Sequence, residues 1–275
     1  MEKEIENKLT SIVAEVRKDI IRMVGIAGSG PLELSLSIAD ILVYLYWEEL
    51  VVLPNAHGRN DRDRLFMGIE KAVPALYSVL ANRGYFDREE LWHYRRLGAM
   101  LQALPDPNRT AGIDSPCLCS ALELSLASPV AQVLLSIPQR PRVFCFCDNK
   151  DFSNSFFEEV CRTGKAHLSN LVLLIINVKN REGFVDKKMT SKHQNKFSAL
   201  GWTVDSVNGN SFVNLECVFS LLDYENNKPK AIFVEINPNN DYTFIESLKS
   251  TKPRIKRLQD IALALEELEE NKNEK

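Results

Sequence analysis

The chain has 275 residues, 45% of them apolar and 26% charged, with a formal net charge of -3. That is enough apolar material for one large core and too little cationic excess for a nucleic-acid stripe or a polybasic membrane patch. No apolar run approaches the roughly 18 residues that cross a bilayer, and Met1-Glu2-Lys3-Glu4-Ile5-Glu6 has no apolar signal core, so a cytoplasmic location with no membrane and no nucleic-acid partner is expected.

Ile5, Leu9, Ile12, Val13, Val16, Ile20, Met23 and Val24 recur at spacings of three and four, which predicts an amphipathic helix up to Gly25. Ala27-Gly28-Ser29-Gly30-Pro31 breaks it, and a second helix runs from Ser35 through Ile38, Ile41, Leu42, Leu45 and Tyr46. Pro54-Asn55-Ala56-His57-Gly58 is a polar turn. Helices are expected over 72–82 and 88–97 and, after the loop at Pro105-Asp106-Pro107, over 118–135, where Pro129 should kink or break the helix.

Residues 142–147, 170–177 and 231–236 are short and almost wholly apolar, as strands buried on both faces of a parallel sheet are, and 203–207 adds a shorter strand. Helix-compatible stretches at 152–165 and 212–224 lie between them. The alternation predicts an α/β fold in three layers, a parallel sheet flanked by helices. The tail from Pro253 reads as a helix that frays, so the expected organisation is one unit over 1–250 and a helical tail over 251–275.

Several anchors stand in register along the chain: Ala27-Gly28-Ser29-Gly30 leading to Ser35-Leu36-Ser37, Arg62-Asp63-Arg64 with Pro74-Ala75-Leu76-Tyr77, Leu101-Gln102 with Pro105-Asp106, Thr110 and Gly112, and Lys228-Pro229-Lys230. On these residues the chain resembles the N-terminal, thiamine-diphosphate-binding half of transketolases, over roughly residues 20–246. The resemblance implies the thiamine-diphosphate-binding fold. It also implies a hetero- or homo-oligomer with a separate transketolase C-terminal-like partner subunit, because the family's active site lies between two domains and this chain stops where the second would begin.

The family holds a divalent metal at a G-D-G turn after one strand and at an Asn after the next. Here the turn reads Asp148-Asn149-Lys150-Asp151, and Asn180 matches the later Asn, so the positions implied for cofactor binding are Asp148, Asn149 and Asn180. Asn149 is uncharged, and Lys150 brings bulk and positive charge where a glycine belongs. Three histidine positions fall on Pro31, Lys71 and Leu104, and a glycine-rich cofactor segment falls on Leu118-Cys119-Ser120-Ala121-Leu122-Glu123. These departures imply a filled pocket, no catalytic residue, no bound cofactor and a non-catalytic or regulatory subunit. Two alternatives stay open. One is an active thiamine-diphosphate-dependent transferase of two-carbon ketol units, with magnesium on Asp148, Asp151 and Asn180. The other is a pocket repurposed for a different small anionic ligand, with Lys71 and Lys150 contributing.

Six cysteines without a secretory signal fit reduced thiols, and no structural disulfide is expected. Cys117-x-Cys119 and Cys145-x-Cys147 invite a metal reading, but zinc favours wider spacings, and residues two apart on a strand simply share a face. Glu33, Glu70, Lys71, Glu123 and Lys150 read either as an ion-pair cluster in place of metal and diphosphate or as solvated surface charges. His57, His93, His167 and His193 share no motif spacing and read as loop or helix-surface residues.

Overall fold

A computed structural model describes residues 1–179, 184–237 and 254–273. Five strands form one parallel sheet: β1 (Arg64–Met67), β2 (Val143–Asp148), β3 (Leu171–Val178), β4 (Thr203–Asn208) and β5 (Lys230–Ile236), in the spatial order β1-β2-β3-β5-β4. Successive side chains of the central strands go to opposite faces, so the apolar runs feed two separate cores. Phe144, Phe146, Val172, Leu174, Ile232 and Val234 belong to one; Cys145, Cys147, Leu173, Ile175, Ala231 and Phe233 belong to the other.

The first core is closed by α1 (Lys3–Ala27), α2 (Glu33–Ser37), α3 (Ala39–Tyr44), α4 (Val73–Arg83), α8 (Phe212–Ser220) and α9 (Arg254–Asn273). The second is closed by α5 (Ser120–Leu134), α6 (Asn154–Lys165) and α7 (Lys187–Ala199). The expected three layers are present. Among the described residues no helix is long and apolar enough to cross a membrane.

Helix α1 ends where Gly28 takes φ 66°, its N–H bonding back to the Val24 and Gly25 carbonyls, a left-handed cap that glycine adopts without steric cost. Near that end α9 crosses α1. A Cβ on Gly25 would stand 2.0 Å from Ile261 Cδ1, so the close approach depends on glycine. Ile261, Ala264 and Leu268 are buried there, and Lys18 pairs with Glu269 at 2.9 Å. The tail helix is thus packed into the first core.

Four expectations about local structure change. Residues 88–97 form only a 3-10 helix over Arg88–His93, whose first residue Arg88 binds both oxygens of the buried Asp19 on α1, each at 2.7 Å. The second helix is divided at Ile38 and ends in a π turn over Leu45–Glu49. α5 runs unbroken through Pro129, whose missing N–H lies on the exposed side. β1 and α7 are additions: the first is only four residues long, and the second buries only Phe197.

The paired charges of the sequence motif lie at the amino ends of β1 and β2. Arg62 forks onto Asp114 at 2.6 and 3.1 Å. The Asp63 carboxylate accepts from Val51 N, Arg142 N and the Arg142 guanidinium at 2.6 to 3.1 Å, and Arg142 also pairs with Glu49. Arg62 and Asp63 are both buried. Their role is to tie the edge strand to its neighbour.

Candidate functional site

Ligands of open α/β sheets bind outside the carboxyl ends of the strands. At that end β2 runs into a single 3-10 turn, Asn149–Asp151, and β3 ends beside the start of α7. The turn is pinned from below by Ser120, the first residue of α5: its Oγ accepts from Asp148 N at 3.0 Å and donates to Asp151 Oδ2 at 2.8 Å. Asp148 Oδ1 accepts from Lys150 N at 3.0 Å. Both turn carboxylates are therefore engaged in shaping the loop.

Asn149 faces a second amide. Its Nδ2 donates to Asn177 Oδ1, and Asn177 Nδ2 donates to Thr190 Oγ1 at 3.0 Å. This chain of neutral groups links β2, β3 and α7. It leaves Asn149 Oδ1 buried with no hydrogen-bond partner, a state that costs about 1–3 kcal/mol when nothing fills it.

Beside the amide pair lies a cavity of about 610 Å³ lined by Asn149, Lys150, Asn177, Lys179, Met189 and His193, among others, with Glu33 on its rim from α2. The expectation of a filled pocket is corrected here. The 118–123 segment does not fill it: Leu122 points outward at 51% exposure, and Glu123 turns into the protein. Glu123 Oε1 accepts from Leu118 N at 2.6 Å, while Oε2 has no partner of good geometry. Burial pushes this carboxyl up from its ordinary range. In the cavity lining, the His193 ring meets Phe152 edge to face at 4.7 Å. Burial, aided by Lys192 and Lys196, holds His193 below the usual histidine value.

Of the residues singled out in the sequence, Asp148, Asn149, Lys150 and Asp151 come together at the turn. Asn180 lies outside the described residues. Glu33 shares the cavity with Lys150, but Glu70 and Lys71 are exposed and Glu123 is buried behind the loop, so the five do not form one cluster. Leu104 is exposed at 48%, while Pro31 and Lys71 meet only through their carbonyls, which both accept from Ser35 Oγ. Cys145 and Cys147 share a face with their sulfurs 4.0 Å apart, and all six thiols are free. Among the described residues no group of three His, Cys, Asp or Glu side chains could hold a metal ion.

Asn177, Thr190 and His193 were not anticipated as parts of one site. Asn177 carried a signal, an amide closing an otherwise apolar run that has to find a partner once buried. The other two carried none, because their position depends on how α7 docks.

The profile of the family described as "Transketolase, thiamine diphosphate binding domain" matches residues 9–237. The 6-deoxy-6-sulfo-D-fructose transketolase subunit SqwG of a Clostridium species is 26% identical over 235 residues, which cover 84% of this chain and 85% of that protein. An apulose-4-phosphate transketolase subunit of Phocaeicola vulgatus is 24% identical over 238 residues, with 84% and 83% covered. Among solved structures, a transketolase from Leishmania mexicana superposes with a TM-score of 0.76 at 15% identity, over 96% of this chain but 45% of that one. The chain thus spans most of the two subunits and less than half of that longer transketolase.

Proposed function

Because the chain belongs to the transketolase thiamine diphosphate binding domain family, we propose that it is the N-terminal subunit of a split transketolase-like complex and is non-catalytic or regulatory. In this reading it works in the cytoplasm beside a separate C-terminal-like subunit. Two relatives named as transketolase subunits, each matched over more than four fifths of its length, support the split organisation.

The observation that carries the non-catalytic reading is the amide chain from Asn149 through Asn177 to Thr190. Magnesium is a hard cation that takes charged oxygens and keeps strict octahedral geometry. Here the acceptors at the turn are amides paired with each other and carboxylates already bonded to Lys150 N and Ser120, and the Lys150 side chain lines the same cavity. These residues do not fit a metal-clamped diphosphate.

The test is calorimetry of the chain together with its C-terminal-like partner, titrated with thiamine diphosphate and magnesium. Saturable binding should be absent or weaker than millimolar, a scale of about 4 kcal/mol. Micromolar binding, abolished by Asn180→Ala, would instead support active ketol transfer with ligands from Asp148, Asp151 and Asn180.

The open cavity favours a second reading, a site for another small anionic ligand beside Lys150 and His193. Pyrophosphate without any metal is the probe. Binding lost on Lys150→Ala would support it, and no binding would remove it.

A further inference from the structure

Arg64 opens β1, at the end of the sheet opposite the Asn149 cavity, and neutral groups hold its guanidinium. Nη1 donates to the Arg62 carbonyl at 2.9 Å and Nη2 to the Arg59 carbonyl at 2.6 Å. The carboxylate beside it, Asp114, has Oδ1 3.6 Å from Arg64 Nε, beyond hydrogen-bond length, and both of its oxygens are already taken by the Arg62 fork. Asp63 faces Arg142 instead. Over the whole network the charges balance, Arg62, Arg64 and Arg142 against Asp63, Asp114 and Glu49, but the surplus negative charge sits with Arg142 and the surplus positive charge at Arg64. Burial, and after it the Arg62 charge, pull the Arg64 guanidinium down from its ordinary range, whereas Arg62 and Arg142, each bonded to carboxylates, are raised.

Beside this guanidinium lies an apolar groove of about 370 Å³. Val130, Val133 and Leu134 of α5 and Ile137 beyond it supply the walls, and Asn60 and Arg64 are the polar members of the lining. The volume falls at the small end of the roughly 300–1,000 Å³ over which pockets hold small molecules. A groove lined by seven residues takes one short tail, not a helix or a strand.

An arginine fork beside apolar walls selects a molecule that is planar and anionic at one end and apolar at the other. Inorganic phosphate would leave the walls uncovered, and an alcohol would leave Arg64 without a counter-charge. We propose that this groove binds a free aliphatic monocarboxylic acid, its carboxylate on Arg64 and Asn60 and its tail against Val130, Val133 and Ile137. The site is separate from the Asn149 cavity and does not depend on what that cavity holds.

Hexanoate is the probe, in calorimetry on the full chain. It should bind saturably with a submillimolar constant and raise the melting temperature. Acetate keeps the charge without the tail and hexanol the tail without the charge, so each should bind at least about tenfold more weakly. Arg64→Gln should weaken hexanoate by about tenfold or more and leave hexanol unchanged.

Because Arg64 also anchors the carbonyls of Arg59 and Arg62, a second variant carries the test without touching it. Val133→Trp, at a position 65% exposed, sets a ring over the groove and should abolish hexanoate binding while the unfolding midpoint stays unchanged. Lys150→Ala, in the cavity, should have no effect. No saturable binding by the unmodified chain, equal affinity for hexanol, binding that survives Val133→Trp, or binding lost on Lys150→Ala would each overturn the proposal. So would tighter binding of a peptide with a free carboxyl-terminal valine, which would give the groove to a protein terminus.

Discussion

Strand β2 has a polar cluster at each end, and the two are built on different principles. At its amino end Arg142 and Asp63, with Arg62 and Asp114 alongside, are charges paired through several hydrogen bonds each. At its carboxyl end Asn149 and Asn177 are neutral amides, and one oxygen has no partner. Removing one member of a buried ion pair strands the other, whereas a neutral amide can be lost at the cost of a hydrogen bond. The molecule therefore concentrates its electrostatic stability away from the cavity and leaves the cavity end tolerant of change.

The sharpest way to break this contrast is Asp63→Ala. It orphans Val51 N and Arg142 N and leaves the half-buried Arg142 with Glu49 as its one charged partner, beside a 3.5 Å contact to Tyr224 Oη. The expected loss is about 3–5 kcal/mol, read as a lower urea midpoint at unchanged slope. A loss near that of a surface substitution would show that the network contributes little.

Asn149→Asp should cost less, about 1 kcal/mol. The new carboxylate meets the Asn177 oxygen, and relieving that contact by turning the Asn177 amide breaks its bond to Thr190. Adding millimolar magnesium should leave the melting temperature of the variant unmoved. A rise would mean that the turn lies one substitution from a metal site.

Glu123→Gln should have the smallest effect, and one that depends on pH. The buried carboxyl titrates above its unfolded value, so its stabilising contribution is complete below about pH 4.5 and is lost as pH rises through the folded pKa. Glutamine has no such titration. The variant should therefore gain relative to wild type as pH rises from 4 to 8, in urea melts at each pH. A constant difference across that range would mean that folding does not raise the Glu123 pKa.

Strands β2, β3 and β5 were readable because burial on both faces forces an apolar run, and the family resemblance followed from anchors that hold this scaffold together. β1 was not. Its four residues, Arg64-Leu65-Phe66-Met67, are too few to show a pattern, and they directly follow the charged motif. α7, rich in Lys and Ser, buries only Phe197 and so presents no helical stripe of apolar residues. At the site, Asp148, Asn149 and Lys150 were legible because they follow a recognisable strand. The pairing of Asn149 with Asn177 was not, because it depends on the register of β2 on β3, which sets Asp148 opposite Ile176 and brings the next two residues together. The expectation of a filled pocket failed for a similar reason: larger side chains at 118–123 do not by their size reveal that Leu122 points out and Glu123 points in.

The packing of Ile261 against Gly25 has a bearing on how the protein is made. During synthesis α1 leaves the ribosome early, yet the helix that covers part of it follows more than two hundred residues later. At elongation rates of roughly 5–20 residues per second, α1 waits on the order of 10–50 s with that apolar face open to solvent and to chaperones. Nascent chains halted before residue 254 should therefore be protease-sensitive at α1, and release of the remaining residues should close the site.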